Sequence, residues 1–311
     1  MLDNKTKVQD NKFNFDEDLK QALHSVYKPF GLKIPIKTEL REMLLDFLTI
    51  EKKLIIPKPR EVFYNPTLKA NLLTHPKSKE ILLLAELFRI GKNVNFFQSK
   101  KLFQTSFHDH LLYEWNIFHF HLSLEKDKKS SFVKQTNQLL FVYLNDTKAI
   151  FLDVGNHLPG IFADAKWLEI LHDNFPEIIE PYKDSEITKV MPDVDAIGRQ
   201  QLWDKGYSIG MTEVRDKVYH SEGVGRTTSG HSVLVLNKLN EIWRWLHKVN
   251  EQFSSFHDQV CNYLKIKESE AEFKLVFGQR TLEIIEKTTN ELILTYPDIL
   301  NLTEEQTDKA E

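Results

Sequence analysis

Two apolar runs on either side of a short polar turn constrain this chain more than any other feature. Residues 138–144 read QLLFVYL and residues 149–154 read AIFLDV, both rich in β-branched and aromatic side chains. Between them lie Asn145, Asp146, Thr147 and Lys148, which are turn formers. That combination predicts a hairpin of two buried strands. Residues 115–122, WNIFHFHL, predict a third strand just upstream, joined by the charged loop EKDKKSS. Strand side chains alternate faces, so His119 and His121 share one face with Ile117 and Trp115. Phe118, Phe120 and Leu122 take the other face, which must be core.

Helical periodicity dominates the rest. Residues 16–28 place Leu19, Leu23 and Tyr27 four apart, and residues 37–54 carry an apolar stripe through Leu40, Met43, Leu44, Phe47 and Leu48. Residues 77–90 predict a further helix, stopped by Gly91 as a C-cap. IPKPREVFYNP holds three prolines and predicts an irregular connection. Residues 164–175 return to helix, residues 206–232 predict an irregular polar stretch with five glycines, and residues 233–264 predict helix in two pieces. Alternating runs over 272–277 and 281–296 predict a terminal hairpin. The expected fold class is α+β, with a small antiparallel central sheet flanked by helices. The expected parts are a disordered tail over 1–15, a helical region over 16–105, the sheet over 106–162, a second helical region with the hairpin over 163–302, and a disordered tail over 303–311.

Composition narrows the function classes. A hydrophobic fraction of 41% supports a sizeable core. No run approaches the roughly 18 apolar residues of a membrane span, and the N-terminus lacks the apolar stretch of a signal peptide. The single cysteine, Cys261, makes no internal disulfide and no cysteine zinc site, and its helical context predicts burial. A cytoplasmic location is expected. A net charge of −4 argues against a protein that coats nucleic acid non-specifically, which needs many Lys and Arg against phosphates.

Three groups of residues could carry chemistry. Two imidazoles side by side on a core strand, His119 and His121, cost desolvation and so invite a function; otherwise they are ordinary hydrogen-bonded residues. His108 and His110 sit just upstream. His157 follows a glycine at the end of the third strand, where the backbone can aim a side chain, or it is simply a solvated loop residue. Residues 219–232, YHSEGVGRTTSGHS, collect hydroxyls, Arg226 and two histidines before an amphipathic helix. Arg226, Ser229 and His231 there suit an anion near a helix N-terminus, unless the segment is a capped connection. It is not a P-loop, since no Gly-Lys-Ser/Thr follows. The histidines with Asp109 or Asp153 could ligate zinc or manganese, but no HExxH spacing occurs. Neither a metal nor a cofactor is expected.

The order of these elements resembles the central sheet of RelE-like toxins and, more widely, the barnase–EndoU–colicin–RelE fold. The pattern covers roughly residues 77–160 and rests on WNIFHFHL, LLFVYL and AIFLDVGNH. The chain is longer and more acidic than simple RelE toxins, and histidines stand where Lys, Arg and Tyr are usual, closer to the two-histidine arrangement of EndoU-type nucleases. The resemblance implies a metal-independent endoribonuclease, a toxin or phage-defence effector, acting on RNA (ribosome-associated or tRNA) and held in check by a protein antitoxin or inhibitor. Histidine suits that chemistry because a group of pKa near 6.5 serves as base or acid at neutral pH. His119, His121 and His157 would be base, acid and orienter in an unassigned order, with Arg226 or Lys134 offsetting the charge of the phosphorane. Two alternatives stay open: a metal-dependent nuclease or hydrolase using the same histidines, and a non-enzymatic interaction module.

Overall fold

The computed structural model describes residues 13–27, 39–192, 194–278, 280–297 and 299. The tail over 303–311 lies outside the described residues, as does most of the tail over 1–15. In chain order the elements are α1 (Phe15–Tyr27), α2 (Leu40–Lys53), β1 (Glu61–Tyr64), α3 (Pro66–Asn71), α4 (Ser78–Arg89), α5 (His110–Trp115), β2 (Ile117–His121), β3 (Gln138–Leu144), β4 (Lys148–Asn156), α6 (Lys166–Asn174), α7 (Pro176–Ile179), α8 (Ala196–Asp204), β5 (Met211–Val214), β6 (Lys217–His220), α9 (Val233–Leu264), β7 (Phe273–Phe277), β8 (Leu282–Glu286) and β9 (Leu292–Tyr296). The fold is α+β. No helix among the described residues is long and apolar enough to cross a membrane.

The chain forms two compact units, residues 53–234 and residues 1–52 with 235–311. These divisions cut across the regions read from the sequence, because the two ends of the chain share a core. In that unit α1 packs on β7, and Phe15, Leu19, Leu23, Met43 and Leu44 are buried. The helix expected in two pieces is one continuous α9 of 32 residues. Its buried residues Val235, Leu239, Ile242, Leu246, Val249, Phe253, His257 and Cys261 follow each other at three or four positions without a break, so nothing in the stripe calls for an interruption. The terminal hairpin is instead a three-stranded meander, β7-β8-β9.

The other unit is built on a four-stranded sheet in the order β1-β4-β3-β2. β2, β3 and β4 are antiparallel, as the hairpin pattern predicts, with His119 opposite Phe141 and His121 opposite Leu139. The fourth strand is a correction. β1 lies inside the segment expected to be irregular and pairs parallel with β4, Val62 against Ala149. Its flanking prolines bound the strand without entering it, which is where an edge strand tolerates them. A second correction is the β5–β6 hairpin within 206–232. Its turn holds Arg215 and Asp216 at φ 50° and 59°, the paired positive φ of a tight hairpin turn, without the Asn-Gly or Asp-Gly that normally announces one.

Both faces of the central sheet are buried. Phe118, Phe120, Leu140, Val142 and Phe151 pack with Ile81, Leu84 and Phe88 of α4. On the opposite face Ile117, Leu139, Phe141, Ile150 and Leu152 pack with Trp167, Leu168 and Leu171 of α6. Phe141 stacks on Trp167 at 3.8 Å between ring centres. Burying each of these large side chains is worth about 1.5–3 kcal/mol, so this face fixes how β2 stands. His119 and His121 lie on that same face, at the edge strand, and the cavity described next opens above them.

Candidate functional site

The site is assembled by a short helix that doubles back into β2. Asp109 caps α5, its Oδ1 accepting the Leu112 N–H at 3.1 Å. Such a cap satisfies an orphan helix donor and pins the carboxylate. Seven residues later Asn116 ends the helix in the left-handed region, φ 49°, which Asn tolerates better than most residues. The chain then enters β2 directly. Asp109 Oδ2 thereby comes within 3.3 Å of His119 Nδ1, both side chains about 10% exposed or less.

His121 is held differently. The Thr136 N–H points at its Nδ1 at 2.9 Å. Thr136 is itself fixed, its hydroxyl donating to the Gln138 carbonyl at 2.6 Å and accepting the Leu122 N–H at 3.1 Å. His157 is exposed. Its backbone N–H donates to the Asn137 carbonyl at 2.7 Å. The Phe162 ring separates it from His119, with ring centres 5.2 Å from His157 and 4.9 Å from His119.

These three histidines line one cavity of about 680 Å³, shared with His108, His110, Asp109, Lys101, Gln200 and Asp204. His119, His121 and His157, grouped above by the resemblance, thus line the same cavity. The sequence reading left His108 and His110 aside and gave Asp109 only as a metal partner. It missed Lys101, the only Lys or Arg among the lining residues. His108 and His110 follow from the local pattern, since they flank the capping Asp109 and a cap fixes its neighbours as well.

Electrostatics sets the charge of the cavity. Burial pushes His121 down to about 4, reinforced by His119 and His157. His108 also falls to about 4 through burial and then His231, Lys53 and Arg226. Burial and then Arg226 bring His110 to about 4. All three imidazoles are neutral at pH 7. Burial alone would raise Asp109, but the His119 ring and the Leu112 amide outweigh it and hold the carboxyl below its ordinary value. The Nδ1 atoms of His108, His110 and His119 are buried without a well-aligned hydrogen-bond partner, His119 Nδ1 having the approach of the Asp109 carboxylate at 3.3 Å.

The four residues expected to grip phosphate do not line this cavity. Arg226 is buried, and its guanidinium donates to the Trp203 and Tyr207 carbonyls. Lys134 is an exposed partner of Glu125 at 3.1 Å. The exposed Ser229 hydroxyl meets that of Thr227 at 2.8 Å. His231 packs edge-on against His108, with ring centres 5.3 Å apart. The 219–232 loop thus backs His108 and contributes no residue to the cavity lining. Its Gly230, at φ 88°, lies so close to the His108 ring that a Cβ would collide.

Among the described residues, His257, Asp258 and Glu268 form the only His/Cys/Asp/Glu trio whose ligand atoms lie within 4.8 Å of one another. The cavity histidines do not reach that spacing. Comparison with family models, curated proteins and solved structures finds no match to this chain.

Proposed function

We propose that this cavity is the active site of a metal-independent endoribonuclease. The observation that carries the reading is the meeting of His119, His121 and His157 on one cleft, with the Asp109 carboxylate behind His119. RNA cleavage without metal needs a group to take the 2′-OH proton, donors for the phosphorane, and a proton for the leaving 5′-oxygen, and imidazoles supply all three. With one lysine, Lys101, in the lining, the cleft suits a single phosphodiester of an unpaired strand rather than a duplex backbone. Such an activity inside a cell fits a toxin or phage-defence effector, and a protein inhibitor is then its natural partner.

The test is incubation of purified protein with a labelled single-stranded RNA in excess chelator. Cleavage leaving 2′,3′-cyclic phosphate ends, lost in His121→Ala, supports the reading. Cleavage that requires added metal transfers the site to a metal-dependent nuclease. Intact RNA, together with equal cell growth on expressing the wild type or His121→Ala, leaves an interaction module.

A further inference from the structure

The cavity histidines differ in what holds the buried nitrogen of each ring. A neutral imidazole has one N–H and one bare nitrogen, and the partner of one nitrogen decides the state of the other. His119 Nδ1 faces the Asp109 carboxylate at 3.3 Å. The pair is not aligned as a hydrogen bond, but a carboxylate only accepts, so a hydrogen on Nδ1 is favoured over a bare nitrogen facing the anion, and Nε2 is left bare. His121 Nδ1 faces the Thr136 amide at 2.9 Å. A backbone N–H only donates, so Nδ1 is bare and Nε2 carries the hydrogen. The Thr136 carbonyl lies 3.1 Å from the same nitrogen, but an Nδ1–H would meet the amide hydrogen head to head. Thr136 cannot turn away, because its hydroxyl is tied to β3 and to Leu122.

We infer that the two strand histidines present opposite tautomers to the cleft, with His119 as the base, His121 as a fixed hydrogen-bond donor, and Asp109 and Thr136 as the positioning residues that set them. The roles rest on the ribonuclease reading; the tautomers do not. His119 Nε2 takes the 2′-OH proton as O2′ bonds to phosphorus. His121 Nε2–H donates to a non-bridging oxygen and keeps its hydrogen, since a neutral imidazole is too weak an acid to release it. The P–O5′ bond breaks, and O5′ takes a proton from His157 in its imidazolium form; water at the exposed mouth then takes the proton from His119 and returns one to His157. The products are a 2′,3′-cyclic phosphate and a 5′-hydroxyl, with every proton accounted for.

Nitrogen-15 NMR of the ligand-free protein reads both tautomers without any substrate. The expected result is Nδ1–H with bare Nε2 for His119 and the reverse for His121. The opposite pattern at either residue overturns the inference. Kinetics then tests the roles. A glutamine amide can stand in for Nε2–H but not for a base. His121→Gln should stay within about 30-fold of wild type, while His119→Gln loses about 10³-fold. Equal losses overturn the division of labour. Asp109→Asn keeps the helix cap, since Asn caps as well as Asp. It should lower cleavage by 10²-fold or more and displace the basic group in the pH–rate profile, with the melting temperature held. Loss through melting alone would mark Asp109 as structural. If the wild type cuts no RNA but the tautomers are as stated, the ribonuclease reading fails and the assignment of the rings stands.

Discussion

Two histidine-bearing segments of this chain, an apolar strand and a polar loop, use their polar groups in opposite ways. Along β2, His119 and His121 each commit one ring nitrogen to the protein and turn the other edge toward a cavity. In residues 219–232, Arg226 and the backbone turn at Thr227 to His231 direct their polar groups into the fold. The difference lies in what surrounds each segment. β2 is an edge strand whose register is fixed by apolar neighbours, so its histidines are not needed to anchor it and keep one ring edge for the cavity. The loop has few apolar residues to hold it and is anchored by its hydrogen bonds. Polarity in a strand that is already pinned marks a site better than polarity in a segment that must pin itself.

Truncation at the strand should produce the largest effect and sharpen this contrast. His119→Ala is expected to lower RNA cleavage by about 10³-fold or more, as loss of a general base does, with the unfolding midpoint little changed. A variant that unfolds instead would place His119 with the loop, as a residue the fold depends on.

Arg226→Ala should show the reverse signature. The substitution removes a buried cation that donates to two backbone carbonyls, and each hydrogen bond of a charged donor is worth about 1.5–3 kcal/mol. A loss of about 3 kcal/mol in denaturant unfolding is expected, while the folded fraction retains cleavage. Cleavage lost at full stability would bring Arg226 back to the substrate and dissolve the contrast.

The strands were legible because alternation and turn chemistry are local. His119 and His121 could be placed on one face by counting residues, and His157 by its position after Gly155. The role of Arg226 was not legible, because the Trp203 and Tyr207 carbonyls that bind it come from a helix end some twenty residues away. β1 escaped for a related reason: four residues between prolines carry little pattern, and their partner β4 lies far along the chain. Asp109 was visible as an acid between two histidines, but its use depends on the turn at Asn116 that brings β2 back to it.

Acid should expose the cost of the buried rings. His108, His110 and His121 sit near 4 in the folded protein against about 6.5 when unfolded. The unfolded chain therefore binds more protons between those values, and stability falls as pH drops from about 6.5 to about 4. Calorimetry across that window should show a falling melting temperature, with His110→Gln flattening the curve. A flat wild-type profile would mean that the cavity admits enough water to charge its histidines freely.

The smallest effects concern cations near the cleft and away from it. Lys101 lines the cavity, with its ammonium over the Phe107 ring at 5.6 Å. Lys101→Ala should cost about tenfold in cleavage and make the salt dependence shallower by one phosphate contact, a slope change of about 0.7 for a single strand. Lys134 carries the same charge, but it is solvated and paired with an equally exposed Glu125, and pairs of that kind are worth about 0–1 kcal/mol. Lys134→Ala should therefore leave cleavage within about twofold and the salt slope unchanged, and Ser229→Ala should do the same. The comparison isolates position from charge, because Lys101 and Lys134 are chemically identical and differ only in where the fold puts them. Equal salt slopes for the two lysine variants would mean that RNA follows the surface of the 125–134 loop rather than entering the histidine cavity.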